Sequence, residues 1–133
     1  MNDAYFLDDW ALENLLDNFI RAEKVIVTST SVLDECQKRS PKVADSIEVK
    51  LRNYQHAIII VSKRNWIDQL DSVTGLGEDS SGIYNLASAY WFDKVARPDE
   101  TIFVSGDFSL CQKANLVFGE DSIIWAKDIN QSL

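Results

Sequence analysis

The sequence predicts an α/β protein: one domain, residues 1–133, built on a mainly parallel sheet of four to five strands with helices on both faces. Three observations predict it. Short β-branched or aromatic runs alternate with longer stretches of helical periodicity, the order that parallel strands need for their crossovers. Several of those runs are apolar at every position rather than every second one, which fits strands buried on both faces. A chain of 133 residues without internal repeat, low-complexity tract or Pro/Gly linker suits one domain, and about two-thirds of its unfolded surface can be buried at that size.

Each element has its own signal. Ala4-Tyr5-Phe6-Leu7 is an apolar run that stops at Asp8-Asp9 and reads as a buried strand. Leu12, Leu15, Leu16, Phe19 and Ile20 then recur at the spacing of one helix face. Val25-Ile26-Val27-Thr28 is β-branched and predicts a second strand. Ser31-x-x-Asp34 resembles a capping box for a helix through Val32, Leu33 and Cys36. Pro41 suits the first position of the next helix, striped by Val43, Ile47, Leu51 and Tyr54. Ala57 to Val61 predicts a third strand, and Lys63 to Glu78 a short helix and a loop holding Gly75 and Gly77. Ile83, Leu86, Ala87, Tyr90 and Trp91 mark a long helix that ends before Pro98. Thr101 to Ser105 predicts a fourth strand, Gly106-Asp107 the turn into a helix through Leu110 and Ala114, and Ser122 to Trp125 a last strand.

Composition excludes several function classes. Hydrophobic residues make up 46% and charged residues 26%, which argues against disorder. The longest apolar run, Ala57 to Val61, is too short to span a bilayer, so no membrane role is expected. The acidic N-terminus lacks the basic region of a signal peptide. Cys36 and Cys111 form no CxxC pair, so the expectation is a reducing cytoplasm rather than a disulfide framework or zinc knuckle. A single histidine, His56, leaves little room for Ser-His-Asp or His-rich metal chemistry. The net charge of −8 opposes non-specific nucleic-acid binding. Yet the span from Cys36 to Arg64 carries seven basic and two acidic residues, while the remainder carries six basic and nineteen acidic ones. A solvated helical face explains such a span; so does a basic edge beside an acidic pocket.

In parallel sheets the working site lies beyond the carboxyl ends of the strands. The residues there are acids: Asp8 and Asp9 after the first strand, Glu35 in the helix after the second, Asp79 at the start of the long helix and Asp107 after the fourth strand. Singly, Asp79 and Asp107 read as helix N-caps, Glu35 as a first-turn acid and Asp8 or Asp9 as a strand terminator. Together on one rim, they would repel one another and resist ionisation unless a cation intervened. An oxygen-only donor set suits Mg²⁺ or Mn²⁺ better than zinc. Such an ion serves phosphodiester hydrolysis.

The chain resembles the PIN-domain family, the ribonuclease fold that includes VapC-type toxins. The resemblance lies in four motifs that span nearly the whole chain in the family's order: Phe6-Leu7-Asp8-Asp9-Trp10, Val25 to Cys36 with Glu35, Asp79 to Ala87, and Phe103-Val104-Ser105-Gly106-Asp107. It implies Asp8, Glu35, Asp79 and Asp107 as catalytic metal-binding carboxylates, with Glu78 competing for the third place and Asp34 for the second. Ser105 matches a small hydroxyl residue before the last acid, where it would hold water or an acid. In this fold Lys38, Arg39 and Lys42 would flank the pocket and hold RNA phosphates. The resemblance implies a cytoplasmic Mg²⁺- or Mn²⁺-dependent endoribonuclease, the toxin of a toxin–antitoxin pair, with an antitoxin protein and a second copy of the chain as partners. Two positions depart from the family pattern: Trp10 stands where a small polar residue is usual, and Gly106 replaces a frequent Asn or Arg. The alternative they leave open is a catalytically inactive PIN-like module that binds RNA or protein. A phosphoacceptor receiver domain is disfavoured, because His56 to Lys63 offers no Asp after the third strand.

Overall fold

The chain runs β1 (Ala4–Leu7), α1 (Asp9–Arg21), β2 (Val25–Ser29), α2 (Thr30–Arg39), α3 (Pro41–Asn53), β3 (Ala57–Ile60), α4 (Ile67–Thr74), α5 (Ser81–Ala96), β4 (Thr101–Ser105), α6 (Phe108–Phe118) and β5 (Ile123–Trp125). Short 3-10 turns lie at Glu120–Ser122 and Ala126–Asp128. The structure is a computed structural model that describes residues 2–129.

All five strands are parallel and pair in the order β3-β2-β1-β4-β5. The apolar run of β1 lies innermost, and every residue of β1 and β4 is buried, but the longest apolar run forms the edge strand β3, with Ile59 exposed. Phe6 pairs with Val27 on one side and Phe103 on the other, and Leu7 with Val104. The Phe6 and Phe103 rings stack with centroids 5.8 Å apart, and Phe118 of α6 continues the stack over Phe103 at 6.4 Å. The predicted stripe of α1 packs inward through Leu12, Leu15, Leu16 and Phe19. Successive strands step outward from β1 to β3, and then the chain returns to the other side of β1 for β4. Winding therefore reverses between β1 and β4, which with right-handed crossovers puts helices on both faces and opens a crevice at that point.

Two local expectations change: Val43 is exposed, and Ala44 joins Ile47 and Leu51 on the buried face of α3 in its place. The helix after the second strand is capped by Ser29, whose hydroxyl accepts from Val32 N at 3.4 Å, not by Ser31. β2 pairs with β3 through Ser29, and the helix starts directly at Thr30. Ser31 is left to join Ser62 through a 2.6 Å hydroxyl contact.

Candidate active site

Strand register sets the first acid. Leu7 pairs with Val104, and the next residue, Asp8, donates its N–H to the Val104 carbonyl at 3.1 Å. Asp8 is the N-cap of α1. Its Oδ1 accepts from Ala11 N at 2.9 Å, while Oδ2 accepts from Ser105 Oγ at 2.6 Å and Gly106 N at 3.3 Å. The residue is only 3% exposed. Burial pushes its pKa up to about 6 despite the three donors, and the charge of Asp9 adds to the rise.

Asp107 begins the next element on the same rim. Its carboxylate caps α6 by accepting from Leu110 N at 3.1 Å, and its own N–H donates to Ser105 Oγ at 3.0 Å. One fully buried hydroxyl thus links the two acids, accepting from the Asp107 backbone and donating to the Asp8 carboxylate. Glu35 stands half-buried on α2. Burial raises its pKa first; Asp9 and Asp8 add to the rise, while Arg39 and Lys38 oppose it.

These groups share one open cleft of about 500 Å³, lined by Asp8, Asp9, Trp10, Glu35, Arg39 and Asp107 on the strand-end side and by Ser80 to Gly82 and Asn85 across from them. The structure thus brings together three of the four expected acids. Asp79 does not line the cleft; it is exposed in the turn before α5. The cap falls to Ser80, which accepts from Ile83 N at 3.2 Å and bonds back to the Gly77 carbonyl, so the helix starts after the acid rather than at it. Its competitor Glu78 is exposed too, with a carboxyl raised by a hydrogen bond to Asp68.

The residues expected on substrate are placed differently from one another. Ser105 is sealed behind Asp8 and holds an acid in place. Lys38 and Lys42 are exposed and outside the cleft wall. Arg39 reaches the wall, but its guanidinium pairs with Asp9 and, at 2.8 Å, with Glu13. Trp10 is 38% exposed and lies over Gly106, where a Cβ would overlap its ring. Asn85 was missed by sequence reasoning. The signal for it is faint: one amide among the small and aliphatic residues Ile83 to Ala89.

Among the described residues no group of three or more His, Cys, Asp or Glu side chains is placed to hold a metal ion. The donor chemistry nonetheless fits Mg²⁺ or Mn²⁺. The groups that line the cleft beside the two linked acids are oxygens and N–H groups, the Cys111 thiol being buried against the Ser105 and Ile124 carbonyls outside the cleft wall, and Mg²⁺ normally binds through one or two carboxylates and keeps several waters. Asp8 and Asp107, with Glu35 across the rim, are the residues that would hold it.

An all-parallel five-stranded sheet with six helices and an acidic cleft at its switch point defines a PIN-like fold. Two solved structures share it. PAE2754 from Pyrobaculum aerophilum superposes with a TM-score of 0.62 at 11% identity, covering 99% of this chain and 96% of that one. The RRP44 PIN domain of T. brucei superposes with a TM-score of 0.56 at 13% identity, covering 98% and 81%. No protein-family model and no curated protein matches the sequence. Among the described residues no helix is long and apolar enough to cross a membrane.

Proposed function

We propose that the chain is a Mg²⁺- or Mn²⁺-dependent endoribonuclease that cuts RNA in the cleft between β1 and β4. The observation that supports this best is the buried carboxylate of Asp8, tied through Ser105 to Asp107 at the switch point of a PIN-like sheet. When bound there, a divalent ion supplies Lewis-acid charge to the phosphodiester and to the attacking water. Ser105, Gly106 N and Ala11 N lock the Asp8 rotamer, so its lone pairs are aimed before any ligand arrives. Glu35, in the cleft wall with its carboxyl held above the ordinary range by burial, is placed to exchange a proton with the attacking water. The N-terminus of α5, with Ser81 and Gly82 in the cleft wall, suits phosphate oxygens. The motif resemblance adds a toxin role in the cytoplasm, with homodimerisation and an antitoxin partner.

An inactive PIN-like binding module is the second reading. It draws on Asp79 lying outside the cleft and on Arg39 neutralising Asp9. Cleavage of a mixed RNA pool with Mn²⁺ decides between them. The nuclease requires metal-dependent cuts that fall at least about a hundredfold in Asp8→Asn and Asp107→Asn. Because Asn caps helices as well as Asp, Asp107→Asn should keep its melting temperature. Mn²⁺-independent RNA binding without any cuts would establish the module instead.

A further inference from the structure

We propose that Asn85 Oδ1 is a neutral ligand for the divalent cation of this cleft, supplied from α5 where no carboxylate lines the wall. The inference rests on the metal-dependent reading above and adds a residue that neither the motifs nor the carboxylate pattern singles out. Asn85 is only 3% exposed, and its Oδ1 has no hydrogen-bond partner among the described residues. A buried acceptor left without a donor destabilises the fold, so a native protein that keeps one has a use or a guest for it. Two other buried side-chain oxygens lack partners, on Glu13 and Asn115, and neither lines this cleft.

The surroundings define the guest. The cleft wall carries the donors Ser81, Ser109 and Arg39, none of which bonds Oδ1, and the acids Asp8, Glu35 and Asp107, which are acceptors when ionised. Oδ1 is thus an open acceptor on a residue that lines the same cleft as three carboxylates, a setting that suits a cation. Amide oxygens are ordinary ligands for hard divalent ions and add no negative charge to a wall that already carries three carboxylates.

The test is Mn²⁺ binding without RNA, read by the electron paramagnetic resonance of free Mn²⁺ and by the Mn²⁺-induced rise in melting temperature. Asn85→Leu keeps the shape and removes the unpaired oxygen. Its metal-free form should melt at or above the wild-type temperature, while its Mn²⁺ affinity falls at least tenfold. Asn85→Asp should bind Mn²⁺ at least tenfold more tightly, and it carries the test should Asn85→Leu not fold. Wild-type Mn²⁺ affinity in either variant overturns the assignment, leaving water or an RNA hydroxyl as the donor to Oδ1. If the wild-type chain binds no Mn²⁺ at all, the metal-dependent reading itself falls, and this inference with it.

Discussion

Asp8 carries an electrostatic cost that the rest of the cleft is built around. Its carboxyl sits at about 6 in the fold, against an ordinary value of 3.8. The folded chain therefore holds a proton that the unfolded chain has already released between those values. Stability from this group is complete below about pH 4 and is lost as pH rises through 6. Metal-free protein should lose on the order of 1–1.5 kcal/mol between pH 5 and pH 8 in denaturant titrations, and saturating Mn²⁺ should recover stability at pH 8. A profile flat across that range would contradict the assigned burial. Asp8 and Asp107 were legible in the sequence because a strand ending in an acid is a local pattern. Asn85 was not, because what distinguishes it is burial without a partner, and no local pattern encodes that. The capping and functional readings of Asp107 also prove compatible: one oxygen caps α6 while the residue faces the cleft.

Helix ends decide which acids reach the cleft. α1 and α6 begin at their acids, so Asp8 and Asp107 serve as caps and as cleft wall together. α5 begins after its acid, because Ser80 closes on the Gly77 carbonyl, and Asp79 stays exposed. Sequence places a helix start only to within a residue or two, and here one residue separates a cleft acid from an exposed one. The same blur moved the cap of α2 from Ser31 to Ser29. The packing of Trp10 on Gly106 joins the starts of α1 and α6. Gly106→Ala should cost about 1–3 kcal/mol by overpacking, and much less in a Trp10→Ala background. A double-mutant cycle by thermal unfolding checks this, and additive losses would show that the indole does not fill that space. Trp10 itself stands in the cleft wall, 38% exposed.

At the scale of the molecule, strand order was the least legible feature. Alternating elements predict parallel strands but not which strand lies in the centre; the return of β4 to β1 is a long-range pairing with no local signature. Charge distribution was easier to read, and its use is specific. Lys38 and Lys42 are exposed beside the cleft-lining Arg39, whose own charge is taken by Asp9 and Glu13. Lys38→Glu with Lys42→Glu should weaken single-stranded RNA binding and flatten its salt dependence by roughly 0.7 for each phosphate no longer neutralised. Filter binding across a salt series measures it; an unchanged slope would place the RNA path elsewhere. The pairing of β1 with β4 has one further consequence. Asp8 and its donor Ser105 are 97 positions apart. At synthesis rates of roughly 5–20 residues per second, a ribosome needs roughly 5–20 seconds to supply the second after the first. Through that interval the nascent chain has one half of its acidic pair and no hydroxyl to hold it. For the proposed nuclease, this order of synthesis withholds Asp107 and the Ser105 hydroxyl until β4 has been translated.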